Sequence, residues 1–402
     1  MIKHSLPLIT TTEYKNTLNT YPVILVHGFR GWGRDEALGF KYWGGFRDLE
    51  TELKNKGYKI YTASIGPISS NWDRACELYA YIKGGQVDYG EKHSKEHGHN
   101  RFGRIYPGIY KDWGERDNNG KIKKVHLIGH SMGGQTIRVL DQLLAKGSKS
   151  ERSYSHYSMS SLFSGKKHWI CSVSTISAPH DGTTLADSNY LLAYAKELTA
   201  YLGTLSGNML NHLLDFKLEH WGLKRESGES AVKYIHRVLE SPLWENNRDI
   251  AAYDLTTEGA KELNKWVHTQ ADVYYFAYST KATRNNYLTG NVVFDSRMNP
   301  FFLLFSNKMI YYRRNDPIKV IIGKNWAHND GIVNVISQNG PKEGSNDKIV
   351  KFNGQSKKGI WHDMPMLNNM DHGDIINIFN TFGNDILPWY TNLMEHLISL
   401  PE

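Results

Sequence analysis

The pentapeptide Gly129-His130-Ser131-Met132-Gly133 has the spacing G-x-S-x-G, and Gly134 extends it. A serine hydroxyl attacks a carbonyl efficiently only when a base takes its proton and donors hold the resulting oxyanion. Small flanking residues let a strand turn sharply into a helix, so the serine stands at the helix N-terminus among backbone N–H groups. The flanks agree with this reading. Val125, Leu127 and Ile128 read as a buried strand, and residues 135–144 as an amphipathic helix. Two oxyanion donors are expected: the N–H of Met132, and that of Phe29, which follows the first strand through His27-Gly28. The competing reading is a glycine-rich turn that closes a βα unit, with Phe29 as ordinary core.

In the hydrolase order, an acid and then a histidine follow the serine along the chain. Asp330, in His328-Asn329-Asp330-Gly331, and His372, in Met370-Asp371-His372-Gly373, lie in late turns that suit those roles. With 18 histidines, order alone leaves His362, Asp363, Asp371 and Asp295 as rivals. Asp330 also suits a turn residue making an Asx bond beside Gly331. A second cluster of chemistry-bearing residues is the run His93-Ser94-Lys95-Glu96-His97-Gly98-His99. Such density fits imidazole ligands of zinc, and equally a solvated turn. The run is not H-E-x-x-H, so a zinc-protease mechanism has little support.

Apolar patterning supplies the elements that must position these residues. Strands are read at 21–26, 58–65, 122–128, 169–177, 272–279 and 318–322. Helices are read at 45–56, 71–82, 135–144, 184–214, 230–239, 256–267 and 386–399. This alternation predicts an α/β protein with a mostly parallel central sheet and helices on both faces. The Gly-, His- and Tyr-rich segment 83–110 breaks the rhythm and reads as an insertion, while 148–164 and 339–360 read as loops. The 402 residues are read as one domain, 1–402. The net charge of +7 is scattered among acidic residues, with no dense basic tract, which disfavours nucleic-acid binding. Cys76 and Cys171 lie in apolar contexts and read as free thiols. No run approaches 18 apolar residues, so no transmembrane segment is expected. Nothing in the residues points to an oligomeric state.

The chain resembles the staphylococcal and thermophilic-bacillus family of secreted triacylglycerol lipases over nearly its whole length. The likeness rests on VHGFRGWG at 26–33, SNWDRACELY at 70–79, GGQVDYG at 84–90, HGHNRFGRIYPG at 97–108, GHSMGGQTIR at 129–138, SAPHDGTTL at 177–185, NDGIV at 329–333 and DH at 371–372. GHSMGG is nearer the staphylococcal branch and Gly31-Trp32-Gly33 nearer the bacillus branch. The resemblance implies an α/β-hydrolase fold with a zinc-binding insertion at 83–110 and a helical lid or cap region at 183–240. It implies Ser131 as nucleophile, Asp330 as orienting acid, His372 as general base, and Phe29 and Met132 as the oxyanion hole. It implies a structural zinc held by Asp73, His93, His99 and Asp254, with His97 outside the set. It also implies a calcium site near the catalytic histidine, using the carbonyl of Arg297 and the carboxylate of Asp374. The ungapped match to a second carboxylate falls on Phe379, which has no ligand atom, so a shifted loop must bring Asp385, with Asn380 beside it.

The activity implied is hydrolysis of long- and short-chain acylglycerols at a lipid–water interface. Phospholipase A or broad carboxylesterase activity on the same fold is the alternative and would use the same triad. Secretion is implied as well, the chain being read as a mature form lacking signal and pro-region. A binding protein without catalysis is disfavoured because no triad position is disabled.

Overall fold

The computed structural model describes residues 18–402 apart from 38, 155–157, 189, 192, 194–214, 245–246, 380–382 and 384. The strands, in chain order, are β1 (Val23–Val26), β2 (Ile60–Thr62), β3 (Gly85–Asp88), β4 (Phe102–Tyr106), β5 (Val125–His130), β6 (Ile170–Ile176), β7 (Tyr274–Tyr278), β8 (Thr280–Lys281), β9 (Thr283–Asn285), β10 (Val292–Phe294), β11 (Ile349–Lys351), β12 (Trp361–Asp363) and β13 (Leu367–Asn368). Seven of them form one sheet in the order β11-β12-β7-β6-β5-β1-β2, and every neighbouring pair is parallel. Parallel neighbours need crossovers, which explains the helices between strands. Three of these matter for the sites: α1 (Leu49–Asn55), α2 (Asn71–Lys83) and, after α3 (Glu91–His97), α4 (Met132–Lys146).

The strand sequences show why both faces are covered. In β1, Val23 and Leu25 pack into one apolar cluster, and Ile24 and Val26 into the other. In β7, Tyr274, Phe276 and Tyr278 face the first cluster, while Tyr275 and Ala277 face the second. Side chains alternate across a strand, so a run apolar at every position must be buried on both sides. Each fully buried Val or Leu contributes about 1.5–3 kcal/mol. The predicted mostly parallel sheet with flanking helices is therefore the observed one, and both cysteines are free and buried.

Three expectations for the elements fail. Residues 318–322 are not a strand. Ile318 and Ile321 point to solvent, Val320 and Ile322 pack with Trp326, and the only pairing there is an isolated bridge between Arg314 and Ile322. The sheet is completed instead by β11 and β12, and β11 lies inside the hydrophilic stretch read as loop. Residues 148–164 contain a helix, Lys149–Tyr154. Its start is set by Ser148, whose Oγ accepts from the N–H of Glu151, a Ser-x-x-Glu signature of helix initiation. Of the apolar stretch 184–214, Thr184–Asp187 is helical, and 194–214 lies outside the described residues.

Candidate active site and metal-ligand cluster

β5 runs into α4 through Ser131, which is held at φ 55°, ψ −131°. That conformation is costly for a residue with a Cβ and persists only where the surroundings enforce it. The glycines around it are required by contact. A Cβ on Gly133 would overlap the carbonyl of Val26, and one on Gly129 would overlap the backbone of Gly133. The strand and helix thus close tightly around the serine. Ser131 and His372 line one mostly apolar cavity together with Phe29, Leu191, Leu255, Phe302, Ile332 and Ile378.

The rivals among the late acids and histidines separate by geometry. His372 donates from Nδ1 to Asp330 Oδ2 at 2.9 Å, and its backbone N–H donates to the Asp330 carbonyl at 2.9 Å. Asp330 is fully buried and its carboxylate is well supplied with donors. Oδ1 accepts from the N–H groups of Ile332 and Val333 at 3.0 and 2.8 Å. Oδ2 also accepts from Thr280 Oγ1 at 2.9 Å and Gln338 Nε2 at 3.2 Å. The Asx bond expected for a turn residue is therefore made by one oxygen, while the other holds the histidine. His362, by contrast, is tied by Nδ1 to the carbonyl of Tyr275, and by Nε2 to the N–H of Lys357.

The residue before the serine has a role that sequence reading missed. His130 Nε2 donates to the His372 carbonyl at 3.1 Å, and its Nδ1 accepts from Tyr42 Oη at 2.7 Å. Tyr42 Oη in turn accepts from the N–H of Gly28 at 2.9 Å. A carbonyl only accepts, so the proton sits on Nε2 and the tautomer is fixed. Burial, with the nearby His372, pushes His130 well below the usual histidine range, so it stays neutral. This relay joins the loop after β1 to the loop of His372. Among the described residues, the N–H groups of Phe29 and Met132 have no hydrogen-bond partner, and both residues adjoin Ser131 in the fold.

The second cluster gathers around the segment 83–110. β3 and β4 pair antiparallel around α3. Helix Lys149–Tyr154 steadies α3 from outside: Glu151 accepts from the N–H groups of Lys92 and His93 at 3.0 and 2.8 Å. Asp73, His93, His99 and Asp249 bring one ligand atom each to within 4.8 Å of the others. His93 Nε2 lies 3.3 Å from Asp73 Oδ1 and 3.2 Å from Asp249 Oδ2, and His99 Nε2 lies 3.2 Å from Asp249 Oδ2. The edge of a tetrahedron with metal–ligand bonds near 2 Å is about 3.3 Å. Asp73 Oδ1 and His99 Nε2 are buried there without a hydrogen-bond partner. His99 Nδ1 donates to the Asn100 carbonyl at 2.9 Å, which leaves the Nε2 lone pair facing the centre. The donor set fits a divalent metal.

One expected ligand is wrong. Asp254 is not in the cluster. Its Oδ2 accepts from the N–H of Asn71 at 2.6 Å at the start of α2, and burial pushes its carboxyl up to about 7. Asp249, just before the bridge between Ser69 and Ile250, takes the ligand position. Two aspartates five residues apart cannot be told apart by spacing. His220, also missed, donates from Nε2 to Asp73 Oδ2 at 3.0 Å and so orients that ligand.

Calcium is expected at Arg297, Asp374, Asn380 and Asp385. Asp374 Oδ2 accepts from the N–H of Asp371. Burial and the charge of Asp374 push the Asp371 carboxyl up to about 8. Asp385 is engaged by Arg47 at 2.9 Å. Phe379 packs against Phe301 and Phe302. The N–H of Arg297 is bound to Asp295, and Asn380 lies outside the described residues.

Comparison with known proteins shows the family. The family described as lipase-like, C-terminal domain, matches residues 19–400. The lipase of Staphylococcus epidermidis is 37% identical over 377 residues, covering 91% of this chain and 51% of that protein. The chain thus spans about half the length of the curated relatives it matches. The solved structure of EstA from Clostridium botulinum has a TM-score of 0.90 at 52% identity, covering 96% of this chain and 89% of that one. Lipase 1 from Pelosinus fermentans has a TM-score of 0.89 at 51% identity, covering 96% and 100%. Both are more similar than the staphylococcal protein.

Proposed function

This chain belongs to the lipase-like C-terminal-domain family, and on that premise we propose that it is a serine ester hydrolase acting on acylglycerols, a triacylglycerol lipase. The observation that carries this reading is Ser131, strained at the turn into α4, sharing an apolar cavity with a histidine held by Asp330. His372 takes the proton of Ser131 as its Oγ attacks the ester carbonyl. The N–H groups of Phe29 and Met132 receive the oxyanion. His372 then protonates the leaving alcohol. Water, deprotonated by the same imidazole, releases the carboxylic acid from Ser131. Asp330 keeps the imidazole in the required tautomer and stabilises its cation. The apolar walls of the cavity suit an acyl chain.

Asp73, His93, His99 and Asp249 would hold a zinc ion. Bound there, its charge would neutralise two buried carboxylates and tie the insertion to α2, a structural role. The same premise includes export from the cell. No described helix is long and apolar enough to cross a membrane.

The test compares wild type, Ser131→Ala and Asp330→Asn on a short soluble ester, a long-chain triacylglycerol and a phosphatidylcholine. Turnover of the first two should fall by about 10³-fold or more in both variants. Phospholipid turnover equal to that of triacylglycerol would shift the assignment to phospholipase. Undiminished ester turnover in Ser131→Ala would overturn it.

A further inference from the structure

Helix Pro300–Tyr311 sends Phe302, Phe305 and Met309 into the core, and Phe302 reaches the catalytic cavity. Its outer side keeps apolar residues beside the exposed Asn307 and Lys308. Leu304 and Tyr311 are 52% and 69% exposed, and Ile318 and Ile321, in the following loop, are 86% and 59% exposed. Leu304, Lys308 and Tyr311 stand at i, i+4 and i+7, along one stripe of the helix. Single exposed apolar residues need no explanation, but a group of them marks a contact surface.

Charge says what kind of contact. Lys308, Arg313, Lys319 and Lys324 are all exposed on this stretch, and none has an ion-pair partner among the described residues. The acids nearby are already engaged. Asp187 and Glu258 are taken by Arg314 at 3.1 and 3.5 Å, and Asp316 accepts from the N–H of Ile318. The face also borders the cavity. Lys308 Nζ lies 5.0 Å above the ring of Tyr190, whose neighbour Leu191 lines the cavity. Strand β10 packs beside the same helix, and the β9–β10 hairpin tip exposes Tyr287 and Leu288 at 97% and 89%.

We infer that this apolar, cationic face docks the protein on a lipid surface carrying anionic phospholipid. The aliphatic and aromatic side chains enter the head-group layer, and the four cations meet the phosphates. The inference rests on the proposed function by naming the surface on which that site works, but its test needs no turnover.

The full chain carrying Ser131→Ala, which cannot digest the lipid, is floated with vesicles of phosphatidylcholine alone or with 30% phosphatidylglycerol. Anionic vesicles should bind the protein tenfold or more better at low salt, and 0.5 M NaCl should abolish the difference. Each cation near such a surface is worth about fivefold in partition. Lys308→Gln/Arg313→Gln/Lys319→Gln/Lys324→Gln should therefore lower binding at least 30-fold. A control with the same loss of charge elsewhere, Lys56→Gln/Lys59→Gln/Lys111→Gln/Lys149→Gln, should lose less than threefold. With Ser131 restored, the quadruple variant should keep its soluble-ester turnover, which shows that it is folded and separates this claim from that of hydrolysis. Equal binding to both vesicles, or equal losses in the two quadruple variants, would overturn the inference. So would salt-insensitive self-association of the free chain that these substitutions remove, since it would give the face to a second copy.

Discussion

At the serine elbow, one contiguous run supplies the buried strand, the strained Ser131, the N–H of Met132 and the helix behind them. In the second cluster, four side chains that fit a metal come from three segments: Asp73 on α2, His93 and His99 between β3 and β4, and Asp249 far down the chain. The elbow is held by close backbone packing, because at Gly129 and Gly133 strand and helix approach where no Cβ would fit. The cluster is fixed by charge and by capping bonds, with Glu151 holding α3 and His220 holding Asp73. The backbone shape of the first kind of site is set locally. A site of the second kind depends on each remote contributor.

The largest effect expected from breaking this contrast is at the remote contributor. Asp249→Asn should lower metal affinity at least about 100-fold, a loss expected to exceed that for an outer-shell partner, and lower Tm. Asp254→Asn should leave the metal content unchanged. Metal analysis of both variants, purified alike, checks the assignment. Metal lost from Asp254→Asn but kept in Asp249→Asn would restore the sequence-based ligand.

A smaller effect is expected at the relay between the Gly28 and His372 loops. Tyr42→Phe removes the acceptor of the Gly28 N–H and the donor to His130. An orphaned buried polar group costs about 1–3 kcal/mol. Soluble-ester kcat should fall about tenfold with little change in KM, and Tm should drop by a few degrees. Unchanged kcat would make Tyr42 a packing residue only.

The smallest effect is a pH slope, and it belongs to the elbow half alone. Asp141, on α4, is buried and bonded to Tyr275 Oη, and burial pushes its carboxyl up to about 7. An unfolded aspartate loses its proton near pH 4, so between about pH 4 and 7 the folded state binds more protons. Stability from this group is complete below pH 4 and lost as pH rises toward 7. Asp141→Asn should therefore gain stability relative to wild type between pH 4.5 and 8 in urea unfolding. A difference that is flat with pH would contradict this.

What the residues disclosed follows the same division. The G-x-S-x-G turn, the β1 run and the amphipathic α4 were legible because each is written in adjacent residues. Asp330 and His372 could only be shortlisted by order and became a pair through family likeness, and geometry then joined them. Asp249 was missed because the family likeness was carried onto Asp254, five residues further along the same stretch. The strand at 349–351 was hidden in a polar stretch, since an edge strand needs no apolar run. The exposed apolar residues at 318 and 321 imitated a strand for the opposite reason: they face outward.

The central claim is that Ser131 is the nucleophile, and labelling with a fluorophosphonate followed by peptide mass spectrometry tests it most directly. A single covalent adduct is expected on the peptide holding Gly129-His130-Ser131-Met132-Gly133, absent in Ser131→Ala. Full labelling on another residue, with ester turnover intact in Ser131→Ala, would contradict the account.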